Sequence, residues 1–542
     1  MKNILIIIPA RGGSKGIPRK NLRILNGHPL VSYVIKTCLK SNYNPDVYVT
    51  SDDDEILTMA KKFGAKSHTR SKQLADGRTT LDPVIINAYE DISARSGKKY
   101  DIVITVQPTS PLLTQKTLDD AISVYTNEKS VDTIISATDD THLTWSVQNG
   151  EVKPNYIKRL NRQELEPIFR ETGAFLISDP KLFTSGSRIG QNIKLYPVPP
   201  QEKIDVDHFE DWSICEYYLK RKKILFVITG FQEVGLGHVY NALSIADEIL
   251  EHQVSFLVDE KSQMAFDTIE KANHTVYIQK EVDILEDIIK LNPDVIINDR
   301  LDTDQNYIES LKKSCNTVIN FEDLGEGAGK ADLVINAMYP EKKKIKNHFF
   351  GSDYFVLRNE FQFSSPVTKI NNKIKKVLLT FGGVDHNNLT LKVLDCIFDY
   401  CQQNNIQIEV VLGLGYNQKD TLSKFHQIQI KSNVGNLSEL VESSDICFTS
   451  AGRTTFEIAS IGVPAIVLCQ NPRESTHFFA KEENGFINLG IGIDASNELV
   501  LNSFEILCND YNRRNEMHNS MINKNLRNGK KNVIALIRKN IM

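Results

Sequence analysis

The chain has 542 residues, 41% hydrophobic and 24% charged, which is enough apolar material for three or four folding units and excludes wholesale disorder. Its 64 Lys and Arg residues nearly balance 68 Asp and Glu residues, and the net charge of -4 excludes the positive field that non-specific nucleic-acid binding requires. The eight cysteines lack CxxC spacing, so we expect reduced, mostly buried thiols.

The first part of the chain alternates short Ile- and Val-rich runs with helical patterns. Strands are predicted at residues 4–8, 47–50, 102–106 and 133–137, and helices at 30–39 and 54–63. This alternation predicts an α/β layer with a mostly parallel sheet. The apolar run at 4–8 ends at Pro9 and is too short for a signal peptide or a membrane span, so we expect a cytoplasmic protein without a membrane partner.

Two further strand series follow. One begins at Ile224, after the charged stretch 220–223, and continues at 254–258, 295–297 and 318–320. The other begins at Val377, after the polar stretch 369–376, and continues at 409–412, 446–449 and 465–468. We therefore expect domains at 1–222, 223–365 and 366–542, closed by a solvated C-terminal helix without a function.

A glycine-rich basic loop follows the first strand. Residues 9–22 contain three glycines, which let backbone N–H groups approach an anion, and four cations, which concentrate positive charge. The loop matches neither the Walker pattern nor the dinucleotide pattern. A flexible surface loop is the alternative, but α/β proteins usually bind ligands directly after a buried parallel strand, so we expect a triphosphate here.

A carboxylate pair stands far downstream, at Asp205 and Asp207. In an extended segment these side chains project to the same face, as hard oxygen ligands for Mg²⁺. The alternative is a helix N-cap and a solvated turn before the next helical pattern.

Residues 1 to about 215 resemble the acylneuraminate cytidylyltransferases (CMP-sialic acid synthetases). The matching pieces are IPARGGSKGIPRKNL at 8–22, SDD at 51–53, QPTSPL at 107–112, Arg162-Gln163, GAF at 173–175 and IDVD at 204–207.

The resemblance implies a nucleotidyltransferase Rossmann-like fold that uses CTP. It implies phosphate and nucleotide contacts from Arg11, Gly12, Gly13, Ser14, Lys15, Lys20 and Asn21, a base contact near Thr79 or Thr80, and acid-sugar contacts from Gln107, Arg162 and Arg170. In the implied reaction the anomeric hydroxyl of a nonulosonic acid attacks the α-phosphate and releases pyrophosphate, while Arg11, Lys15, Lys20 and Mg²⁺ on Asp205 and Asp207 offset the developing charge.

Some details stay open. Arg170-Glu171-Thr172-Gly173 replaces a Pro-Asn that often precedes the glycine, so the acyl groups of the sugar are not specified, and an eight-carbon acid is the alternative substrate. Ion-paired surface positions are the alternative for the arginines. The segment 141–187, with Trp145, resembles the portion that such enzymes project to a partner subunit, which implies a homodimer.

A second glycine loop ends in His238, directly before the helical pattern 239–250. The positive end of a helix dipole helps to keep an imidazole neutral, and a neutral histidine can act as a base; a polar loop residue is the alternative. Later, Gly452, Thr454 and Thr455 stand at another strand-to-helix turn that suits a diphosphate. Glu457 follows one helical turn later, where it could accept hydrogen bonds from ribose hydroxyls.

Residues 223 to about 525 resemble the GT-B superfamily and, within it, the UDP-sugar hydrolases of pseudaminic acid biosynthesis. The matching pieces are GLGH at 235–238, Asn298-Asp299, YFVLRNEF at 354–361, FGGVDHNN at 381–388 and SAGRTTFE at 450–457. The resemblance implies a pair of Rossmann-like domains in which His238 activates water that displaces UDP and Asp299 positions the sugar. Asn241, Arg453 and 471–473 depart from the usual residues.

The sequence therefore predicts a bifunctional enzyme of nonulosonic acid biosynthesis with CMP-transferring and UDP-sugar-hydrolysing halves. A glycosyltransferase or a non-catalytic nucleotide-sugar-binding module is the alternative for the second half.

Overall fold

The computed structural model describes residues 2–13, 16–75, 78–231, 235–341, 344–432 and 434–541. The chain divides into two compact units, Met1–Arg221 and Lys222–Met542.

The first unit is built on one large sheet and two short hairpins. Its strands are β1 (Ile4–Pro9), β2 (Ile24–Leu25), β3 (His28–Pro29), β4 (Asp46–Ser51), β5 (Lys66–Thr69), β6 (Ile102–Val106), β7 (Thr133–Asp139), β8 (Trp145–Gln148), β9 (Glu151–Pro154), β10 (Phe169–Ser178) and β11 (Ile193–Pro197). Its α-helices are α1 (Leu30–Leu39), α2 (Asp54–Lys62), α3 (Leu81–Ser96), α4 (Gln115–Asn127) and α5 (Phe209–Lys220).

The large sheet runs in the order β11-β7-β10-β6-β1-β4-β5, and only β10 is antiparallel to its neighbours among these strands. Strand β1 is central and buried on both faces, as its unbroken apolar run predicts. Ile4, Ile6 and Ile8 pack in one core cluster and Leu5 and Ile7 in another. The carboxyl ends of β1, β4 and β6 therefore bring the loops after them to one edge.

The second unit contains two parallel sheets. Its strands are β12 (Lys223–Ile228), β13 (Gln253–Val258), β14 (Val276–Ile278), β15 (Val295–Asp299), β16 (Thr317–Phe321), β17 (Leu333–Asn336), β18 (His348–Phe350), β19 (Lys376–Thr380), β20 (Gln407–Leu412), β21 (Gln429–Ser432), β22 (Ile446–Thr449), β23 (Ala465–Cys469) and β24 (Phe486–Ile491). Its α-helices are α6 (Gly237–Ala246), α7 (Gln263–Lys271), α8 (Ile284–Leu291), α9 (Gln305–Ser314), α10 (Asn359–Phe363), α11 (Leu389–Asn404), α12 (Leu437–Glu442), α13 (Thr454–Ile461), α14 (Asn497–Asn509), α15 (Tyr511–Ile522) and α16 (Gly529–Ile541).

The two sheets run in the orders β14-β13-β12-β15-β16-β17-β18 and β21-β20-β19-β22-β23-β24. The first strand of each sheet in chain order, β12 or β19, lies inside the sheet. The next strands are added on one side of it and the later strands on the other, so the strand order reverses at this point. Such a reversal opens a crevice at the carboxyl ends of the strands, where α/β folds bind ligands. The predicted α/β fold class is confirmed: one α/β unit is followed by a second unit that contains two parallel, Rossmann-like sheets.

The last helix, α16, is not the solvated closing helix that the sequence predicted. Val533, Ile534, Ile537 and Ile541 are buried in the core of the sheet that begins at β12. The expectation was wrong because the Asn-, Lys- and Arg-rich composition of this segment concealed a continuous apolar stripe at helical spacing.

All eight cysteines are free, as predicted. In the part of the chain that the structure describes, no helix has both the length and the apolar character needed to cross a bilayer.

Candidate active sites

The basic loop and the acidic segment of the first unit are in contact. The Lys20 ammonium lies 3.0 Å from Asp207 Oδ1 and also donates to the carbonyl oxygen of Val206. A Cβ on Gly16 would collide with the Asp207 carbonyl oxygen, so the loop reaches this segment only because residue 16 has no side chain. The structure therefore brings together the two motifs that the sequence analysis paired.

The two aspartates lie in different environments. Asp205 is half-buried, and its Oδ1 has no hydrogen-bond partner among the described residues. Burial raises the pKa of Asp205, and the neighbouring charge of Asp207 raises it further, against the Thr109 hydroxyl and Lys20, which lower it. The Asp207 side chain is 63% exposed. Residues 204–207 are irregular rather than a strand. The strand alternation that predicted a common face for the two carboxylates therefore does not apply to this segment.

The helix-cap alternative for these aspartates does not hold. Helix α5 has His208 at its N-cap, and the Asp211 carboxylate accepts from the backbone N–H groups of Asp207 and His208. The carboxylates of Asp205 and Asp207 therefore do not cap helix α5.

A divalent cation fits this arrangement when phosphates complete its coordination. No cluster of three or more His, Cys, Asp or Glu side chains suited to a metal occurs among the described residues, so protein groups alone form no complete site. The buried, unbonded Oδ1 of Asp205 and the exposed carboxylate of Asp207 supply hard oxygen ligands beside a cationic loop. Magnesium is commonly held by one or two carboxylates plus substrate phosphates.

The glycine loop rests on the SDD turn after β4. The backbone N–H of Gly12 donates to Asp52 Oδ1 at 3.1 Å, and a Cβ on Gly12 would lie 2.8 Å from Asp53 Oδ2. Asn21, predicted to contact the nucleotide, is buried, and its Nδ2 donates to the Arg11 carbonyl oxygen at 2.9 Å. In this structure Asn21 therefore braces the loop.

The other predicted loop residues are less constrained. Arg11 and Gly13 lie in the loop, Arg11 half-buried and Gly13 exposed. Ser14 and Lys15 lie outside the described residues.

Sequence reasoning missed Arg70, which follows β5 at the same edge of the sheet. Its side chain is buried, Nη2 donates to the Thr50 carbonyl oxygen at 2.9 Å, and Nε has no partner among the described residues. Burial lowers the pKa of Arg70, opposed by the charge of Asp52 and reinforced by that of Arg11. Arg70 directly follows β5, a strand that the sequence analysis did not predict, so no sequence signal pointed to it.

The predicted base and sugar contacts lie around this edge. Thr80 occupies the N-cap of α3 without a side-chain cap bond, and the Thr79 hydroxyl lies 3.5 Å from the Gln73 carbonyl oxygen. Gln107 follows β6 and packs against Gly173, where a Cβ would lie 2.8 Å from Gln107 Nε2. Arg162 and Arg170 are exposed, and Arg170 pairs with Asp140 at 3.1 Å.

In the second unit His238 is the second residue of α6, so it lies just inside the helix rather than directly before it as predicted. Its Nδ1 donates to Asp299 Oδ1, and Asn241 Nδ2 donates to Asp299 Oδ2 at 2.6 Å. Since a carboxylate only accepts, Nδ1 carries a proton, and in the neutral imidazole Nε2 holds the lone pair. Asp299 was predicted to contact the sugar, but it is only 1% exposed and lies behind the imidazole.

A cleft of about 460 Å³ opens between the two sheets of this unit. Its lining combines the GLGH turn, glycine-containing turns that follow strands of the second sheet, and several charged side chains. Among the lining residues are Gly235, Gly237, His238, Glu322, Tyr339, Arg358, Gly382, Gly383, Gly413, Gly452, Arg453, Thr454, Glu457, Arg473 and His477.

The predicted diphosphate and ribose contacts are only partly open to this cleft. Gly452 and Thr454 line it, and Thr454 begins α13. Thr455 is buried, and its hydroxyl donates to the Gly452 carbonyl oxygen at 2.8 Å, so it supports the turn. Glu457 lines the cleft but accepts two hydrogen bonds from Arg358, at 2.6 and 3.0 Å.

Two titratable groups of the cleft carry no motif and were missed. The buried carboxylate of Glu322 accepts from the backbone N–H groups of Ala337 and Met338, and burial raises its pKa to about 7. His477 Nδ1 donates to the Ala451 carbonyl oxygen at 2.7 Å, and burial lowers the pKa of His477 to about 4. His477 is therefore neutral at physiological pH and keeps Nε2 as an acceptor.

The cytidylyltransferase family model matches residues 5–213. Over 532 residues the chain is 25% identical to a Helicobacter pylori protein named pseudaminic acid cytidylyltransferase and UDP-2,4-diacetamido-2,4,6-trideoxy-beta-L-altropyranose hydrolase, covering 94% of this chain and 95% of that protein. It is 32% identical over 230 residues to the pseudaminic acid cytidylyltransferase of Campylobacter jejuni, covering 41% of this chain and 97% of that protein.

The chain is also 32% identical over 228 residues to N-acylneuraminate cytidylyltransferase A of Danio rerio, which covers 41% of this chain and 51% of that protein. For several curated relatives the match spans only about half of their own length, 51% to 56%.

Solved structures of similar fold include CMP:2-keto-3-deoxy-manno-octonic acid synthetase complexed with CTP, with a TM-score of 0.31, 16% identity and coverage of 40% of this chain and 98% of that one. Acinetobacter baumannii MurG gives a TM-score of 0.42 and 14% identity, covering 58% of this chain and 99% of that one.

The Campylobacter jejuni enzyme is matched over 97% of its length. The basic loop, the SDD turn and the aspartate pair all lie within residues 5–213, the range that the family model matches. Through residues 5–213 this chain belongs to the cytidylyltransferase family.

Proposed function

We propose that this chain is a bifunctional enzyme of nonulosonic acid biosynthesis. Residues 1–222 transfer CMP from CTP to a sialic-acid-like nonulosonic acid of the pseudaminic, legionaminic or neuraminic type, and residues 223–542 hydrolyse a UDP-linked amino sugar. The contact between Lys20 and the Asp207 segment carries the first assignment, because it assembles cations and carboxylates at one sheet edge. The Helicobacter pylori relative, whose printed name joins the same two activities, supports their combination.

In the CMP transfer the anomeric oxygen of the acid sugar attacks the α-phosphorus of CTP. The bond from that phosphorus to the bridging oxygen of the β-phosphate breaks, pyrophosphate leaves, and the hydroxyl proton passes to solvent water. Gly13 presents its backbone N–H group to the triphosphate, and Gly12, whose N–H donates to Asp52, holds the loop against the turn after β4. Arg11 and Lys20 stabilise the charge that develops on the phosphate oxygens. Lys15 is assigned the same role, and Thr79 or Thr80 a contact with the base.

Asp205 and Asp207 would hold a divalent cation, which we propose to be Mg²⁺. When bound, the ion neutralises phosphate charge and acts as a Lewis acid on the phosphoryl group. Lys20 keeps Asp207 beside the loop, and the buried position of Asp205 fixes its carboxylate.

The carboxylate of the acid sugar requires a cationic partner, and we assign Arg162 and Arg170 to it, with Gln107 as a hydrogen-bonding neighbour. A guanidinium matches a carboxylate with two parallel hydrogen bonds. Arg170 is exposed and pairs with Asp140, so an incoming carboxylate competes only with a solvent-screened surface pair.

The first activity is tested with CTP, Mg²⁺ and a panel of nine-carbon and eight-carbon sugar acids, with pyrophosphate and the CMP-sugar both quantified. We expect turnover with at least one nine-carbon acid and a lower kcat/KM with the eight-carbon acid. Turnover of the eight-carbon acid alone would contradict the assigned substrate class, and consumption of no acid would contradict CMP transfer.

In the hydrolysis a water oxygen attacks the anomeric carbon of the UDP-sugar, the bond from that carbon to the diphosphate oxygen breaks, and UDP leaves. His238 Nε2 takes the proton from water. Asp299 is bonded to Nδ1 on the other side of the ring, so the lone pair of Nε2 points away from Asp299. Gly452 and Thr454, at the start of α13, bind the diphosphate. Glu457, Thr455 and Asp299 hold the turn and the base in place.

The second activity is tested by incubation with UDP-linked diacetamido sugars in ¹⁸O-labelled water without any acceptor. The proposal predicts UDP release with the label in the free sugar and none in UDP. Release that depends on an added acceptor would favour a glycosyltransferase, and binding of UDP-sugar without release would favour a non-catalytic binding module.

We also infer a homodimer formed through the β8–β9 hairpin and a location in the cytoplasm, where CTP is available. Trp145, Val147 and Val152 on this hairpin are 55%, 71% and 65% exposed, an apolar set that a second copy would cover. Light scattering should give twice the chain mass for the wild type and a lower mass for Val147→Asp. A monomeric wild type would contradict the dimer.

A further inference from the structure

Arg453 links the two sheets of the second unit to the His238 site. It directly precedes α13, at the turn to which the diphosphate is assigned, and its side chain reaches Asn241 on α6. Its Nη2 donates to Asn241 Oδ1 at 3.1 Å and to the Val356 carbonyl oxygen at 2.8 Å. A Cβ on Gly237, the residue before His238, would lie 3.2 Å from Arg453 Cδ.

The hydrogen bonds continue without a break to the imidazole. Asn241 accepts from Arg453 through Oδ1 and donates to Asp299 through Nδ2, so its two partners fix the orientation of the amide. Asp299 uses its other oxygen to accept from His238. The order is therefore guanidinium, amide, carboxylate and imidazole.

Because these groups are buried, the loss of any one hydrogen bond leaves a polar atom without a partner. Asn241 and Asp299 are 3% and 1% exposed, so an Asn241 amide without Arg453 would leave a buried carbonyl oxygen unpaired. The amide could then rotate and remove the second donor from Asp299. The Arg453 guanidinium also stacks on the Phe355 ring at 4.3 Å, which fixes its direction.

We propose that Arg453 is a positioning residue that orients His238 through Asn241 and Asp299. The imidazole is therefore held in its orientation by the contact between the nucleotide-binding turn of the second sheet and helix α6 beside the first sheet. The inference rests on the proposed hydrolysis, because it assigns His238 as the base. The relay ties the turn before α13, where UDP is assigned, to the atom that takes the proton from water.

The kinetic test is a double-mutant cycle on UDP-sugar hydrolysis with Arg453→Met and Asn241→Ala. Each variant should lower kcat by about 10²-fold, because a misplaced catalytic group costs roughly that much, with little change in KM. The double variant should be no slower than either single one, because both remove the same relay. Arg453→Lys, which can donate one bond to Asn241, should recover part of kcat.

Arg473→Met is the matched control. Arg473 also joins the two sheets, through Asp302 and Tyr339, but touches neither Asn241 nor Asp299 in the described contacts. Its effect should multiply with that of Asn241→Ala. If the kcat losses of Arg453→Met and Asn241→Ala multiplied in the double variant, the relay would be overturned. The same would follow if Arg453→Met raised only KM and weakened only inhibition by UDP, with kcat unchanged.

A second readout needs no turnover. In protein labelled with ¹⁵N-histidine, the His238 signal, assigned by comparison with His238→Gln, reports which ring nitrogen is protonated. We expect the Nδ1-protonated form in the wild type and a mixture of tautomers in Arg453→Met. An unchanged signal would overturn the relay, whereas a wild type that shows the expected tautomer but hydrolyses no UDP-sugar would refute the proposed function alone.

Discussion

Lys20 and Asp207 are 187 positions apart in the chain and form an ion pair of 3.0 Å. The Lys20 side chain is only 12% exposed, whereas that of Asp207 is 63% exposed. The pair thus joins a constrained cation to a carboxylate that solvent and ligands can reach, at the carboxyl edge of a parallel sheet. This is the arrangement on which the assignment of CMP transfer depends.

Removing the Lys20 charge should impair CMP transfer. Lys20→Met should lower kcat/KM for CTP by about 10²-fold, since single preorganised electrostatic donors in active sites are worth 10² to 10³ in rate. Steady-state pyrophosphate release measures this. Lys61→Met, which removes an exposed lysine from α2, is the control and should leave the rate unchanged. Equal rates for Lys20→Met and the wild type would contradict the role of the loop.

The aspartate pair should control the response to divalent cations. Asp205→Asn removes the charge of the buried carboxylate, so the Mg²⁺ concentration for half-maximal CMP transfer should rise about tenfold or more, with a lower maximal rate. Titration of Mg²⁺ in the pyrophosphate assay measures this. Glu210→Gln removes an exposed charge next to the segment and should not shift the titration. An unchanged Mg²⁺ requirement in Asp205→Asn would place the cation elsewhere.

The two proposed activities should be separable by single substitutions. His238→Gln removes the proposed base and should lower UDP-sugar hydrolysis by 10² to 10⁴-fold, the range for general acid–base catalysis, without changing CMP transfer. Parallel assays of both reactions on one preparation measure this. His426→Gln, an exposed histidine away from the cleft lining, should affect neither reaction. Hydrolysis that survives in His238→Gln would require another base.

Glu322 should make stability fall as pH rises. Its pKa is raised from 4.5 to about 7, mainly by burial and also by the charge of Asp299, against the charge of Arg453 and the Met338 backbone hydrogen bond, which lower it. Between these values the folded state binds more protons than the unfolded state, so stability decreases from about pH 4.5 to about pH 7 and then levels off. The contribution is at most about 3 kcal/mol.

Thermal unfolding midpoints between pH 4.5 and 8 test this for Glu322→Gln. The variant loses a backbone hydrogen bond, so its midpoint has an offset, but its decline with pH should be shallower than that of the wild type. Glu326→Gln, which alters an exposed carboxylate nearby, should keep the wild-type slope. A Glu322→Gln slope equal to that of the wild type would show that Glu322 titrates in its ordinary range.

The sequence predicted those parts of the fold that have a local signal. The buried central strands, such as β1 and β6, were predicted within a residue because both faces of a parallel strand are apolar. The edge strand β11 alternates exposed and half-buried residues and was not predicted. The hairpin β8–β9 was likewise absent from the prediction, because exposed strands resemble loops in composition. The antiparallel β10 was also missed, although residues 174–178 are buried.

The candidate sites divide in the same way. His238, Gly452 and Lys20 stand in recognisable strand-to-loop junctions, so the sequence pointed to them. Glu322 and Arg70 gain their environments from burial beneath distant segments, which no local pattern encodes. Asp299 was found, but its placement behind His238 depends on the pairing of β12 with β15 and was not predictable from its own neighbours.

The most direct measurement of the central claim is a crystal structure of the protein with Mn²⁺ and a non-hydrolysable CTP analogue, with the metal located by its anomalous signal. The account predicts one metal peak bound by the Asp205 and Asp207 carboxylates and by phosphate oxygens, with the triphosphate lying along the glycine loop near Lys20. A metal bound away from both aspartates, or a triphosphate that does not contact the loop, would contradict it.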